Sequence, residues 1–175
     1  MLNLFRRTPR IKSPTIGFYD LTGGGASTVI GAGKAALIST FSSSLESSDT
    51  PPICNVLFIY CDIEPSGSIR GSSRGLREII RDSRATVVVV AKENASESYI
   101  AAGKQQGYGQ ANLVMTLDRR GDVFATFFRS LFTEMKRGVS MPVAWVKLAP
   151  QAPQAEHANC PGAIFACEVG QLAFR

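Results

Sequence analysis

The sequence predicts an α/β domain in three layers, with a mostly parallel sheet covered by helices on both faces. Strand-like and helix-like segments alternate four times along the chain, which is the pattern of parallel sheets with crossover helices. The run Val87–Val90 is β-branched and apolar on both sides of a pleat, and this favours a central strand that is buried on both faces. Hydrophobic residues make up 45% of the 175 residues and charged residues 19%, an ordinary globular composition.

The predicted strands and helices follow from the periodicity of apolar residues, from helix-capping residues, and from residues that end a helix or strand. Apolar or β-branched runs predict strands, and apolar residues at helical spacing predict helices. The predicted strands are 15–21, 55–63, 85–91 and 111–118, with a terminal strand or hairpin at 163–169 and 172–174. The predicted helices are 33–46, 73–82, 96–105, 122–136 and 143–148.

The chain is expected to hold one domain. Residues 1–13 are basic and irregular, and we expect a flexible lead-in, whereas residues 14–175 form the single α/β domain. The sequence does not say whether residues 14–50 join the main sheet.

Charge and cysteine content limit the possible functions. The formal net charge is +5, but basic and aromatic residues are not interleaved, so nucleic-acid binding is not indicated. No apolar run approaches the ~20 residues of a membrane span, and no apolar signal segment follows the first arginines. The four cysteines form no C-x-x-C pair, so we expect a reduced, cytoplasmic chain without metal or cofactor.

Polar residues at the strand ends are the first candidate site. In open α/β sheets, ligands bind beyond the carboxyl ends of the strands. The valine strand is followed there by Lys92, Glu93 and Asn94, and the preceding strand by Asp62. A structural Lys92–Asp62 ion pair and a catalytic one are equally compatible with this placement.

The glycine-rich stretch from Gly23, Gly24 and Gly25 to Lys34 is the second candidate. A phosphate-binding loop needs a first glycine, four residues, a Gly-Lys pair and a hydroxyl. Thr28 stands at the position of the first glycine and Ala35 at that of the hydroxyl, so the motif is broken twice. We expect a flexible loop over the sheet, although a helix N-terminus at residues 31–34 would still hold an anion.

Cys61 and His157 are the third candidate. A cysteine nucleophile needs a base beside it, and His157 is the single histidine of the chain. Cys61 lies near a strand end, but a buried structural thiol fits that position as well. The His157 and Cys160 spacing lacks the further ligands of a metal site.

From about residue 55 onward the chain resembles a CHAT domain of the caspase-like cysteine protease clan. The similarity lies in the order of segments: the valine strand ending at Lys92, Ala102-Gly103, a strand at 113–117, the aromatic helix from Phe127 to Gly138, a short helix within 140–149 and a closing strand within 161–170. The resemblance implies a caspase-like fold.

The resemblance also implies a missing catalytic dyad. Lys92 stands where that family has its catalytic cysteine, and Asp62 about where it has its histidine. A lysine and an aspartate cannot run a thiolate mechanism, because no thiol is present and an ion-paired lysine stays protonated. We therefore expect a pseudo-protease that binds another protein, or its own copies, within a signalling or defence assembly.

Two alternatives stay open. The first is an enzyme acting on a small anionic substrate at the strand-end rim, with Lys92, Asp62 and Glu93 as its polar centre and the glycine loop above it. The second is a cysteine hydrolase that uses Cys61 and His157. The separation of Lys92 from Asp62, and the shape of the surface around them, distinguishes the first alternative from the pseudo-protease.

Overall fold

The computed structural model describes residues 10–104, 110–119, 123–149 and 160–175, and it is an α/β fold around a six-stranded sheet. The strands are β1 (Arg10–Ile11), β2 (Thr15–Asp20), β3 (Ser43–Ser47), β4 (Val56–Tyr60), β5 (Val87–Val90), β6 (Asn112–Asp118), β7 (Gly162–Cys167) and β8 (Ala173–Phe174). The helices are α1 (Ser27–Leu37), α2 (Leu76–Ser83), α3 (Ser96–Lys104), α4 (Val123–Lys136) and α5 (Met141–Leu148), with one 3-10 turn at Ile38–Thr40.

The main sheet has the strand order β3-β2-β4-β5-β6-β7. All neighbouring pairs are parallel except β6 and β7, which are antiparallel. The predicted mostly parallel sheet is confirmed, and the segment 14–50 does join it, because β2 lies inside the sheet and β3 forms one edge.

Helices cover both faces of the sheet, as the sequence predicts. On one face α1, α4 and α5 pack on the strands, and on the other α2 and α3 do so. The four valines of β5 are completely buried and alternate between these two cores. The aromatic stripe of α4 is core: Phe128 meets Phe58 of β4 edge to face with ring centroids 5.4 Å apart.

The predicted helix 33–46 is wrong. The helix begins earlier, at Ser27, and ends at Leu37, and the serine-rich segment after it forms the edge strand β3. Serine has a weak preference for helix interiors, and pairing along β2 gives the segment an alternative that local periodicity does not reveal.

The two chain ends of the described structure differ from expectation. Arg10–Ile11, predicted to belong to the flexible lead-in, pair in parallel with Ala173–Phe174 in a separate two-stranded sheet. Of the predicted terminal strand or hairpin, the strand is confirmed as β7, whereas the hairpin is absent from the described residues because β8 pairs with β1 and not with β7. Residues 1–9 of the predicted lead-in lie outside the described residues.

None of the described helices combines the length and the apolar character needed to span a lipid bilayer.

Candidate functional site

The strand order creates a crevice between β2 and β4. The chain leaves β2 through α1 on one face and reaches β3 on one side, whereas it leaves β4 through α2 on the opposite face and reaches β5 on the other side. The connections after two adjacent parallel strands thus diverge. Ligands of open α/β sheets bind at such a point, outside the carboxyl ends of the strands.

A cavity of about 420 Å³ lies at this position. It is open to solvent, and segments that follow β2, β4, β5 and β6 all contribute to its wall. Its lining residues are Thr22, Gly25, Ala26, Val29, Tyr60, Asp62, Ala91, Lys92, Glu93 and Arg119.

Lys92 and Asp62 form an ion pair at the cavity wall. The Lys92 Nζ lies 2.5 Å from Asp62 Oδ1, and the two side chains are 39% and 34% exposed. They meet because β4 and β5 are neighbours in register, with Ile59 beside Val90. The two candidate residues thus lie together, and the pair borders a cavity instead of a filled surface.

Arg119 is the residue of the site that the sequence analysis missed. It directly follows β6, and its guanidinium donates from Nη1 to the Ala91 carbonyl at 2.7 Å. The guanidinium carbon lies 4.2 Å from the ring centroid of Phe124, a stacked arrangement that holds it in place. Its backbone N–H donates to Glu93 Oε1 at 2.6 Å. The available signal was its position at a third successive strand end, beside Asp118.

Tyr60 carries an unused hydroxyl at the floor of the site. The residue is 1% exposed, and its hydroxyl has no hydrogen-bond partner among the described residues. The hydroxyl lies beside α1, where a Cβ atom on Gly33 would be 3.4 Å from it. Burial raises the pKa of Tyr60, and the neighbouring Arg119 opposes that rise through its charge and through an approach to the hydroxyl that falls short of a well-formed hydrogen bond.

Hydrogen bonds hold the glycine loop in place at Thr22 and at Ala26. Asp20 Oδ1 accepts hydrogen bonds from the N–H and hydroxyl of Thr22, and the Thr22 hydroxyl oxygen accepts one from the Ala26 N–H at 2.9 Å. Gly23 and Gly24 have φ values of 67° and 92°, which residues with side chains rarely adopt. The loop therefore presents small residues to the cavity, of which Gly25 lines it.

The first turn of α1 faces the cavity with its positive end. Its N-cap position is Ala26, which supplies no side-chain cap, and the turn contains no acidic residue. Among the described residues, the N–H groups of Thr28 and Val29 have no hydrogen-bond acceptor. Such N–H groups, with the helix dipole, favour a negative group.

Lys34 and Asn94 lie away from the cavity. Lys34 is in the last turn of α1, where its ammonium pairs with Glu46 of β3 at 3.0 Å. The helix therefore does not begin at residues 31–34, and the anion site expected there is wrong.

Asn94 belongs to a polar network on the opposite side of the sheet, which we call the clasp. Its Oδ1 accepts the Ile63 N–H at 2.7 Å, and its Nδ2 donates to the carbonyls of Cys61 and Lys92. The buried Tyr99 hydroxyl accepts a hydrogen bond from Asn94 Nδ2, and its single O–H donor is shared between the carbonyls of Lys92 and Thr116. The clasp ties together the ends of β4, β5 and β6 and thereby positions the backbones of Asp62 and Lys92.

Cys61 is not poised for nucleophilic chemistry. It is completely buried beneath the clasp, and burial raises its pKa to about 12, with Asp62 adding to the rise. A thiol of this kind is protonated at neutral pH and is a poor nucleophile. His157, its expected base, lies outside the described residues. In the part of the chain that the structure describes, no group of three or more His, Cys, Asp or Glu side chains is arranged to hold a metal ion.

Comparison with known proteins assigns no family. A scan against models of protein families gives no match, and a search of curated proteins finds no significant relative.

Proposed function

We propose that this chain is a non-catalytic, CHAT- or caspase-like interaction module that works as a subunit of a signalling or defence assembly. The single observation that carries the proposal is the Lys92–Asp62 ion pair. The two residues lie at adjacent strand ends, where the resemblance places a cysteine and a histidine. An ammonium held by a carboxylate provides neither a thiolate nor a base for one.

The order of elements after β4 supports the same proposal. The valine strand, α3, β6, the aromatic α4, α5 and the closing β7 follow one another in the order that the resemblance implies. Cys61 is buried, so it does not replace the missing nucleophile from a neighbouring position.

The open edge at β3 is our candidate for the contact with another protein. Among the described residues β3 pairs on one side only, and its Leu45 side chain is 42% exposed. An unpaired edge strand offers a row of N–H and C=O groups to a second chain. Either another protein or a second copy would add to it by strand pairing.

The proposal is tested by placing a charge on this edge. Leu45→Lys should abolish complexes seen by sedimentation velocity of the purified chain, or by cross-linking in its native cells, because an edge lysine opposes strand addition. Ile100→Lys is the matched control, since Ile100 is 55% exposed on α3, away from β3. A chain that forms no complex, or one whose complexes survive Leu45→Lys, would overturn the edge contact.

A second candidate function is an enzyme acting on a small anionic substrate at the rim. The observation that favours it is the cavity beside the ion pair, with the Arg119 guanidinium in its wall. Cavities of about 300–1,000 Å³ are typical of small-molecule sites. Turnover of an anionic substrate that is lost in both Lys92→Met and Asp62→Asn, with the fold retained, is the result this candidate requires.

A further inference from the structure

We infer that the cavity binds the phosphate group of a small phosphate monoester, held between Arg119 and the first turn of α1. The inference rests on the second candidate function, since it names the ligand class of that cavity, but it requires binding only and no turnover.

Unused hydrogen-bond donors converge on the cavity from two directions. A guanidinium has five N–H donors, and Arg119 spends one of them on the Ala91 carbonyl in the described structure. Ala26 and Val29, at the start of α1, line the same cavity, and the N–H of Val29 has no acceptor among the described residues. Together they form a surface rich in donors and poor in acceptors.

The carboxylates of the wall are already satisfied. Asp62 pairs with the Lys92 ammonium, and Glu93 accepts the backbone N–H of Arg119. No described carboxylate pairs with the Arg119 guanidinium. Within the described residues the positive charge of Arg119 is therefore not neutralised by a carboxylate, and the stacking of Arg119 on Phe124 holds it in place before binding.

The buried Tyr60 hydroxyl, which lies beside Arg119 without a well-formed hydrogen bond, is a further sign of a missing partner. An unpaired buried hydroxyl costs stability, and such groups call for a specific explanation. Tyr60 lines the cavity beside α1 and Arg119, so a ligand oxygen bound there would lie close to it.

A phosphate monoester fits this arrangement better than a carboxylate does. Its three free oxygens accept from separate directions, and Arg forms bidentate bonds with phosphate, while helix N-termini bind phosphate through backbone N–H groups. Gly25 and Ala26 leave space where the loop meets the helix, and Val29, Ala91 and Tyr60 give the rest of the wall an apolar part for the remainder of the molecule.

Calorimetric titration of the whole chain in low-salt, phosphate-free buffer tests the inference. The probes are AMP, adenosine as its neutral match, inorganic phosphate, and succinate as a carboxylate of similar charge. We expect AMP to bind with a Kd below about 1 mM and phosphate to compete with it, and we expect at least tenfold weaker binding of adenosine and succinate. Failure of AMP to bind, or equal binding of adenosine or succinate, would overturn the inference.

Three variants locate the binding site. Arg119→Gln should weaken AMP binding at least tenfold, whereas Arg129→Gln, an exposed arginine on α4 beside a different surface depression, should leave it within twofold. Gly25→Asp should abolish binding without lowering the Tm, because a side chain at position 25 would make only ordinary van der Waals contacts with Thr22, and its carboxylate would lie at the N-terminus of α1. This second site variant decides the matter if Arg119→Gln does not fold. AMP binding unaffected by Gly25→Asp would refute the site.

The same samples separate this inference from the functions proposed above. AMP that binds and is recovered unchanged by NMR supports the ligand site and counts against an enzyme acting on this phosphate. A chain that does not bind AMP but still forms Leu45-dependent complexes retains the interaction module and loses the phosphate site.

Discussion

The clasp and the cavity wall grow from the same strand ends but differ in how their polar groups are used. In the clasp, Asn94 and Tyr99 share their donors and acceptors among four backbone carbonyls or N–H groups and each other. In the cavity wall, Arg119 and Tyr60 keep hydrogen-bonding capacity that no described residue uses. A saturated network holds structure together, and an unsaturated one is where a ligand would add stability.

The comparison predicts the largest loss of stability from a break in the clasp. Asn94→Ala removes the acceptor of the Ile63 N–H and the donor to two carbonyls, so we expect the free energy of unfolding to fall by about 2 to 3 kcal/mol. Urea unfolding monitored by circular dichroism measures it. Glu97→Gln, an exposed change on α3, is the control and should stay within about 0.5 kcal/mol. Equal effects of the two variants would contradict the structural role of the clasp.

Two buried tyrosines give the sharpest form of the comparison. Tyr99→Phe removes a hydroxyl that donates to the Lys92 and Thr116 carbonyls, so it should lower the free energy of unfolding by roughly 1 to 2 kcal/mol. Tyr60→Phe removes a hydroxyl without a partner, so it should leave stability unchanged or raise it by up to about 1 kcal/mol. Both tyrosines are 1% exposed, so burial does not separate them. If Tyr60→Phe proves the more damaging of the two, the assignment of used and unused hydroxyls is wrong.

A smaller effect is expected from the ion pair. Lys92 and Asp62 are each more than one third exposed, and water and salt screen such pairs. A double-mutant cycle with Lys92→Met and Asp62→Asn should give a coupling energy of about 0.5 to 1 kcal/mol that shrinks in 1 M salt. A salt-independent coupling above about 2 kcal/mol would indicate that the pair is closed off from solvent, contrary to its geometry.

The last prediction concerns reactivity and needs no change in stability. Burial raises the pKa of both Cys54 and Cys61 to about 12, whereas Cys167 is exposed. Both buried thiols should therefore stay protonated and unmodified by iodoacetamide between pH 7 and 9, while the exposed Cys167 is modified. Peptide mass mapping after brief labelling reads out each site. Because the clasp covers Cys61, Asn94→Ala should raise the labelling rate of Cys61 more than that of Cys54. An equal increase for the two cysteines would show that the clasp does not cover Cys61.

Local sequence signals were strongest where one residue type dominates a strand or the buried face of a helix. The valine strand and the phenylalanine stripe of α4 were both predicted correctly, because such runs favour one structure and one degree of burial. The edge strand Ser43–Ser47 was missed because its residues have little preference of their own, and pairing with β2 made the choice.

The site was predictable only in part for the same reason. Lys92 and Asp62 lie together because β4 and β5 are adjacent and in register. Their meeting was predictable because the two strands follow one another along the chain. Arg119 was missed because its side chain reaches back from the end of β6 to the Ala91 carbonyl at the end of the adjacent strand β5, a long-range contact that no spacing in the sequence encodes. Asn94 was assigned to the same rim as Lys92 but lies in the clasp, because the backbone past β5 is irregular and alternation no longer tells which face a residue takes.

The amino-acid sequence by itself determined the layers: which segments are apolar enough to be buried, and that strands alternate with helices, so that the sheet is mostly parallel. These follow from hydrophobic burial and backbone propensity, which are local properties. The tertiary structure alone decided which hydrogen-bond donors have an acceptor among the described residues and which do not. That outcome depends on the directions of side chains from four strand ends that are distant along the chain, and on the divergence of α1 and α2 that opens the cavity between them.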